Sequence, residues 1–199
     1  MKMANKIITI SREFGSGGRT IGKEVAEKLG IPCYDQELIV KIAEENGFAK
    51  DFIAERGEYT ASSGWFANGL AAQNHNGYST SDYIWNIQRK VIMELAEKGP
   101  CVIVGRCADF ILNDIQDCVK VFIHASIEHR AERIVRVYGE NDIKVEKRLR
   151  DKDKRRKAYY QLYTDTEWGV AKNYTITLDS GTLGIHKCVD MIADIYNYK

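Results

Sequence analysis

The chain has 199 residues, a length typical of one domain, and 44% of them are hydrophobic, which is enough to fill a core. With 29 basic and 28 acidic side chains the net charge is +1, so overall charge gives no reason to expect binding to nucleic acid or to a membrane. No apolar run approaches the ~20 residues of a membrane span, no signal-peptide pattern opens the sequence, and the five cysteines form no C-x-x-C pair. We therefore expect a reduced, cytoplasmic protein without structural zinc.

The N-terminal part of the chain predicts a strand, a glycine-rich loop and a helix. Residues 7–10 form an apolar, β-branched run that is typical of a buried strand. Residues 20–29 carry apolar side chains at helical spacing, and Gly30 follows them as a helix-terminating glycine. A short strand over residues 32–34 and a second helix over residues 36–45 are predicted next.

The rest of the chain predicts a regular alternation of strands and helices. Residues 57–82 are rich in Gly, Ser, Asn and Thr without a clear period, which indicates an insertion or a mobile loop. The elements predicted after it are helices over 82–98, 128–137, 142–163 and 185–196, and strands over 101–104, 119–123 and 174–178. This order predicts an α/β fold with a mostly parallel five-stranded sheet flanked by helices, whose ligands bind at the carboxyl ends of the strands.

The segment SREFGSGGRTIG, residues 11–22, is similar to the P-loop pattern G-x-x-x-x-G-K-[ST] and stands between a predicted strand and a predicted helix. Glycines let backbone N–H groups converge on a phosphate, and the N-terminus of the following helix adds partial positive charge. The residues predicted to hold nucleotide phosphates are Gly15, Ser16, Gly17, Gly18, Arg19 and Thr20. The Thr20 hydroxyl is also the predicted Mg²⁺ ligand.

Two substitutions in this segment leave its activity open. Glu13 stands where the first glycine of the pattern belongs, and a carboxylate beside phosphates would repel them. Arg19 stands at the lysine position and replaces a compact ammonium with a fork that spans two oxygens. A plain glycine turn, and a nucleotide-binding regulator without turnover, are therefore alternatives to a working kinase loop.

Five segments, in this order, resemble the cytidylate kinase-like proteins: ITISREFGSGGRTIGKEVAEKLG, CVIVGRCADFIL, VFIHASIEHRAERI, DKDKRRKAYYQLYTDTEWG and NYTITLDSGTLGI. The resemblance covers most of the chain except roughly residues 57–82. It implies a three-layer P-loop kinase fold with a helical lid, formed as one domain over residues 1–199. Within that domain, residues 36–85 would form the acceptor-binding or insertion region and residues 130–170 the lid.

The resemblance also implies ATP and Mg²⁺ as cofactors and phosphoryl transfer to a small-molecule acceptor. Arg130 and Arg133, one helical turn apart, match arginines at the base of the lid and would act with Arg19 on the charge of the moving phosphoryl group. The residues implied to hold the acceptor are Asp35, Arg106 of the Gly-Arg motif, and the lid pair Asp153 and Arg156.

The acceptor remains open because the sequence departs from the cytidylate kinase pattern where the acceptor binds. Gln36 and Glu37 follow Asp35 where those kinases carry a serine, and Val104 and Cys107 flank Gly-Arg where they carry aspartates. A nucleoside monophosphate such as CMP is the first expectation, and another small metabolite is the alternative. Asp35 could also serve only as the N-cap of the predicted helix that follows it.

Basic residues are concentrated in one part of the chain. Residues 130–157 contain 12 basic and 6 acidic side chains, which is typical of a lid that closes over phosphates, although a solvated helix face is the alternative. No nucleic-acid reader motif accompanies them, so we expect no nucleic-acid partner. We also expect Tyr159, Tyr160 and Tyr163 to serve packing, and Asp109 to lie at the surface. The loop over residues 57–82 would cover the acceptor or form a contact between copies in a homo-oligomer.

Overall fold

The computed structural model describes residues 6–37, 80–114, 117–139 and 145–198. The predicted helix over residues 36–45 and the predicted insertion over residues 57–82 lie almost wholly outside the described residues. Within the described part of the chain, no helix is long and apolar enough to cross a membrane.

Five parallel strands form the centre of the structure. They are β1 (Ile7–Arg12), β2 (Cys33–Tyr34), β3 (Cys101–Val104), β4 (Cys118–His124) and β5 (Ile176–Asp179). Their order across the sheet is β2-β3-β1-β4-β5, and each described pair of neighbours runs parallel. The predicted sheet is therefore confirmed, except that β5 begins two residues later than its sequence pattern indicates.

Helices cover the sheet and extend beyond its carboxyl edge. They are α1 (Gly18–Leu29), α2 (Thr80–Lys98), α3 (Ala108–Ile111), α4 (Ile127–Tyr138), α5 (Val145–Thr164), α6 (Ser180–Leu183) and α7 (Ile185–Tyr198), with a 3₁₀ turn at Ala171–Asn173. The five helices predicted over residues 20–29, 82–98, 128–137, 142–163 and 185–196 are all present over their described residues. The one-turn helix α6 was not predicted, because four residues are too few to show a helical period.

Two hydrophobic cores lie on opposite faces of the sheet because successive strand residues point to opposite sides. Ile7 and Ile103 face Val91 and Leu95 of α2 on one side. On the other side, a core that includes Ile8 and Ile10 packs against residues of α1 and α7. The three-layer arrangement of helix, sheet and helix follows directly from this alternation.

Helix α1 lies close to the sheet because it carries a glycine at the contact. A Cβ atom added at Gly22 would lie 2.7 Å from Cγ2 of Val104 and 3.3 Å from Cδ1 of Ile10. Both neighbours are buried and rigidly packed, so neither side chain has room to move away. Gly22 thus allows the short distance between α1 and the sheet.

We expect Gly22→Ala to lower the free energy of unfolding by about 1–3 kcal/mol, because the added methyl group overpacks this contact. Denaturant unfolding would measure the change. Gly99→Ala is the matched control, because a Cβ at Gly99 meets no atom within 4 Å and its φ is not positive. An equal loss of stability in both variants would contradict the packing role of Gly22.

Candidate active site

The segment between β1 and α1, residues 13–17, forms the glycine loop. Gly15 and Gly17 both adopt φ +83°, a left-handed conformation that favours glycine. Gly17 is the N-cap of α1, and its carbonyl accepts the first helical hydrogen bond from the Ile21 N–H at 2.9 Å. Helix α1 therefore begins at Gly18, and the loop ends at Gly17.

Five backbone amides at this point are available to a ligand. Among the residues that the structure describes, the N–H groups of Gly15, Gly17, Gly18, Arg19 and Thr20 donate to no acceptor. The amides of Gly18, Arg19 and Thr20 occupy the first turn of α1, where a helix has no internal acceptors and where its dipole attracts anions. The five available amides belong to five of the six predicted phosphate-binding residues, whereas the N–H of the sixth, Ser16, donates to the Glu13 carbonyl at 3.4 Å. The phosphate-binding role of all six remains a prediction.

Ser16 holds the glycine loop against the ends of two strands. Its hydroxyl donates to the carbonyl oxygens of Glu13 at 2.9 Å and Ile123 at 3.2 Å. The Ser180 hydroxyl in turn donates to the Ser16 carbonyl at 2.6 Å. The side chain of Ser16 thus fixes the conformation of the loop.

Glu13 and Arg130 form part of a buried charged contact behind the loop. The Glu13 carboxylate accepts from the Ala125 N–H at 3.1 Å and lies 3.5 Å from Nε of Arg130. Arg130 is 5% exposed and donates through Nη1 both to the Phe14 carbonyl, at 3.1 Å, and to Asp153. The negative charge of Glu13, which the sequence suggested would repel phosphates, therefore has Arg130 as a partner.

Asp153 contributes the second carboxylate of this contact. Its Oδ1 accepts from the Phe14 N–H at 2.6 Å, while its Oδ2 accepts from Arg130. The observed contacts of Arg130 and Asp153 thus anchor the glycine loop to α4 and α5. The catalytic role predicted for Arg130 and the acceptor role predicted for Asp153 stay predictions.

Arg19 does not lie over the glycine loop. Its Nε donates to Asp35 at 2.7 Å, and its Nη2 lies 2.6 Å from Glu37. The hydrogen bond with Glu37 and the charge of Asp35 raise the pKa of Arg19. The side chain is 48% exposed, so solvent weakens both ion pairs. The predicted acceptor ligand Asp35 and the predicted phosphate ligand Arg19 therefore bind each other in this structure.

Arg133 lies against the first turn of α1. Its Nη2 donates to the Thr20 hydroxyl at 2.9 Å, so Thr20 and a predicted phosphoryl-stabilising arginine lie side by side. Within the described ranges, no group of three or more His, Cys, Asp or Glu residues could hold a metal ion. The role of Thr20 as a Mg²⁺ ligand stays a prediction.

Helix α5 contributes three further cations at four-residue spacing. Arg148, Lys152 and Arg156 place their charges 5.8, 5.8 and 5.5 Å from the centre of the Phe14 ring. All three border a cleft of about 350 Å³ that the glycine loop also lines. The family resemblance pointed to Arg156 but not to Arg148 or Lys152. The i, i+4, i+8 spacing of these three residues would have placed them on one face of the helix.

Arg106 occupies a second, smaller cavity at the end of β3. Its side chain is 95% buried, and among the described residues its Nε, Nη1 and Nη2 have no hydrogen-bond partner. The cavity has a volume of about 20 Å³ and is also lined by Arg12, Arg156 and Tyr159. Burying a cation without a partner costs several kcal/mol, so this guanidinium is suited to an anion that the protein itself does not supply.

Asp109 lies behind this cavity, and the prediction that it lies at the surface is wrong. The residue is 3% exposed because α3 packs its first turn against β1. Its carboxylate accepts from the Tyr160 hydroxyl at 2.8 Å and from the Ser11 hydroxyl at 3.4 Å. Burial raises the pKa of the Asp109 carboxyl, although both hydrogen bonds favour its charged form.

The tyrosines of α5 serve packing, as predicted. The Trp85 and Tyr163 rings stack with centroids 4.5 Å apart, and Tyr159 meets Tyr163 edge-on at 5.0 Å. The Tyr159 hydroxyl donates to Oε1 of Gln88 at 3.1 Å. These contacts join α5 to α2 beside the Arg106 cavity.

A third cleft lies on the other side of the glycine loop. It has a volume of about 760 Å³ and lies between α4 and the turn that follows β5. His129, Arg136 and Gly181 line it, and it shares Gly15 and Arg133 with the cleft of about 350 Å³. The three spaces therefore follow one another along the carboxyl edge of the sheet.

Comparison with known proteins agrees with this arrangement. The model of the cytidylate kinase-like family matches residues 7–182. A curated cytidylate kinase from Methanopyrus kandleri is 25% identical over 167 residues, covering 79% of this chain and 76% of that protein. An uncharacterized protein from Eubacterium ventriosum superposes with a TM-score of 0.76 at 27% identity, covering 98% of this chain and 99% of that one.

Shikimate kinase from Bacteroides thetaiotaomicron superposes with a TM-score of 0.55 at 16% identity, over 98% of this chain and 99% of that one, which shows the fold alone. The family match, with the three-layer fold in agreement, defines the class: a phosphotransferase that acts on small molecules and uses a nucleotide. The chain belongs to the cytidylate kinase-like family.

We expect Asp153→Ala to destabilise the protein by about 3–5 kcal/mol, because it leaves the buried Arg130 with a single, poorly aligned carboxylate partner. Denaturant unfolding would measure the loss. Glu146→Ala is the control, since Glu146 forms an exposed i,i+4 pair with Arg150 and its loss should cost less than about 1 kcal/mol. Similar losses in the two variants would show that the anchor contributes nothing to folding.

The raised pKa of Asp109 predicts a specific dependence of stability on pH. Between its ordinary pKa of about 3.9 and its raised folded pKa, the folded carboxyl keeps a proton that the unfolded chain has lost. The free energy of unfolding therefore falls as pH rises through this interval. We expect Asp109→Asn to remove this fall, so its stability relative to wild type increases as pH rises above about 4.

Asp190→Asn provides a control of opposite sign. The hydrogen bond from Lys28 lowers the pKa of Asp190, so its stabilising contribution is present above the unfolded pKa and is lost as pH falls. The stability of this variant relative to wild type should decrease as pH rises. A relative stability of Asp109→Asn that stays level, or changes as in Asp190→Asn, would contradict the assignment.

Proposed function

We propose that this protein transfers the γ-phosphoryl group of ATP to the phosphate group of a small acceptor, and that the acceptor is a nucleoside monophosphate such as CMP. The observation that carries this proposal is the buried guanidinium of Arg106, which has no protein partner within the described residues. A neutral hydroxyl acceptor would leave that charge uncompensated, whereas an acceptor phosphate would neutralise it.

The donor side of the proposal rests on the glycine loop. The unpaired amides of Gly15, Gly17, Gly18, Arg19 and Thr20 would bind the phosphates of ATP, and the N-terminus of α1 would add its partial positive charge. Gly17 supports this fit because a Cβ there would lie 2.5 Å from Cδ1 of Ile185 and would narrow the cradle. The cleft of about 760 Å³ beside the loop has room for the nucleoside part of ATP.

The reaction needs no general base, since the acceptor is already a phosphate oxyanion. Its oxygen forms a bond to the γ-phosphorus while the bond from that phosphorus to the bridging oxygen of ADP breaks. Charge on the transferred group is what the protein must stabilise. Arg133 beside Thr20, and Arg156 between the cleft and the Arg106 cavity, are placed to do so.

Mg²⁺ fits the oxygen donors that are present. Thr20 offers a hydroxyl at the start of α1, and ATP would supply phosphate oxygens, which are the ligands this hard cation prefers. When bound, the ion would neutralise phosphate charge. The Thr20 hydroxyl oxygen accepts one hydrogen bond from Arg133 and keeps a second lone pair for the ion.

A second candidate is a kinase for a phosphorylated metabolite other than a nucleotide. The contacts of Arg19 favour it, because Asp35 and Glu37 both bind this arginine and neither is free to hold a cytosine-containing acceptor. The unpaired charge of Arg106 would be neutralised by any phosphate ester, so this candidate differs from the first only in the rest of the acceptor molecule.

The test is ADP release from ATP and Mg²⁺ in the presence of CMP, dCMP, UMP, AMP or GMP. We expect one of these to stimulate turnover, and Thr20→Ala to reduce that turnover about 10²-fold because a phosphate and metal contact is lost. Thr175→Ala is the matched control, as Thr175 contacts Lys120 near the start of β5, away from the cleft. ATP binding without turnover with any acceptor would favour a regulator, and no ATP binding would overturn the proposal.

Arg106→Met separates acceptor binding from folding. We expect it to abolish acceptor-stimulated turnover while unfolding stability stays level or rises by about 1–4 kcal/mol, since an apolar side chain replaces an unpaired buried charge. Denaturant unfolding and the same ADP assay would measure the two effects. A variant that lost stability and kept its turnover would show that Arg106 is a structural residue.

A further inference from the structure

Gly18 has no conformational reason to be a glycine. It lies in the first turn of α1 with a φ outside the left-handed region, where any residue fits. Glycine at a helical position is less stable than alanine by about 0.5–1 kcal/mol. A Cβ atom at Gly18 would lie 2.6 Å from Cβ and 2.8 Å from Cγ of Arg12. Gly18 therefore leaves room for the side chain of Arg12.

The other end of the same side chain lies against a second glycine. A Cβ atom at Gly105 would lie 2.0 Å from Nη1 of Arg12, so the guanidinium crosses directly over the end of β3. The Arg12 side chain thus runs from the start of α1 to the residue before Arg106. It borders both the glycine-loop cleft and the Arg106 cavity, which are the proposed donor and acceptor sides.

The backbone of the loop also changes how the motif aligns. In a P-loop the last glycine is followed by lysine at the start of the helix. Gly17 is the left-handed residue that caps α1, so it is the last glycine by conformation, and Gly18 occupies the lysine position. Counting five residues back from Gly17 places Arg12, rather than Glu13, at the first position of the motif.

We propose that Arg12 is the catalytic cation of this phosphate loop. It takes the role that the lysine at the seventh position has in a P-loop, although Arg12 stands at the first position of the motif. Its guanidinium contacts the phosphoryl group as that group passes from ATP to the acceptor. Arg156 holds the backbone in place by donating from Nη1 to the Arg12 carbonyl at 2.9 Å. Arg19, which the sequence places at the lysine position, is held instead by Asp35 and Glu37. This inference rests on the proposed function.

The first test compares Arg12→Gln with Lys28→Gln, a matched loss of a cation on the far part of α1, where Lys28 pairs with Asp190. We expect Arg12→Gln to lower kcat about 10²–10³-fold, as for loss of a preorganised transition-state donor, and to weaken ATP binding in calorimetry by less than that factor. Adenosine binding should not change. A kcat and an ATP affinity both within about threefold of the Lys28→Gln control would overturn the inference and leave the proposed function standing.

The second test moves the cation to the usual position. The double variant Arg12→Gly, Gly18→Lys should have a kcat at least about tenfold higher than that of Arg12→Gly alone, because the new lysine enters the space that Arg12 vacated. A structural role for Arg12 would give no such recovery. Gly18→Lys alone should be inactive or unstable, since Arg12 still fills that space.

Thermal unfolding of each variant shows whether a loss of activity reflects a loss of folding. If Arg12→Gln does not fold, Arg12→Lys replaces it in the test, because it keeps the positive charge. If wild type binds ATP without turnover, the ATP affinity of Arg12→Gln is compared with that of Lys28→Gln. An affinity within about threefold of that control overturns the inference, and a weaker one supports it. If wild type binds no ATP, the proposed function fails and this inference fails with it.

Discussion

The structure of the site depends on one buried cation, Arg130. Its guanidinium, only 5% exposed, joins α4 to α5 through Asp153 and joins both helices to the glycine loop through Phe14. Glu13 adds a second carboxylate at 3.5 Å. A buried ion pair contributes little to net stability, but it specifies one arrangement of the groups around it, because any other leaves a charge unpaired. The position of α4 and α5 beside the loop follows from this contact, and so does the array of α5 cations around the Phe14 ring.

The buried arginines on the two sides of the glycine loop differ in whether they have carboxylate partners. Behind it, Glu13 and Asp153 compensate Arg130. In front of it, Arg106 has no partner among the described residues, and the neighbouring Asp109 is engaged by Tyr160 and Ser11. Arg12 and Arg156 also line this second cavity, so its walls carry positive charge. On the proposed function, this charge would let an anionic acceptor and an anionic donor meet there without excess repulsion.

The sequence predicted the sheet and the long helices because each leaves a period in the chain: alternating cores on β1 and β3, and helical spacing on α1 and α2. It also predicted the cleft-lining loop, since phosphate binding requires glycine. It did not predict contacts that join distant positions, such as Arg130 with Phe14, which are 116 residues apart. The burial of Asp109 was missed because a one-turn helix shows no periodicity from which its inward face could be identified. Alignment of the sequence with the P-loop pattern puts Arg19 at the lysine position, whereas the left-handed conformation of Gly17 puts Gly18 there.

Two irregularities of the sequence have one physical explanation if Arg12 supplies the charge of the loop. Glycine stands at the lysine position because a side chain there would collide with Cβ and Cγ of Arg12. Arg19 is then free to bind Asp35 and Glu37, since the loop does not require its charge. Gly105, where the Arg12 guanidinium crosses the end of β3, has a φ of +81° and favours glycine for that reason alone. A loop that had merely decayed from a working motif would show no such matched pair, because the loss of lysine gives no reason for an arginine in the vacated space.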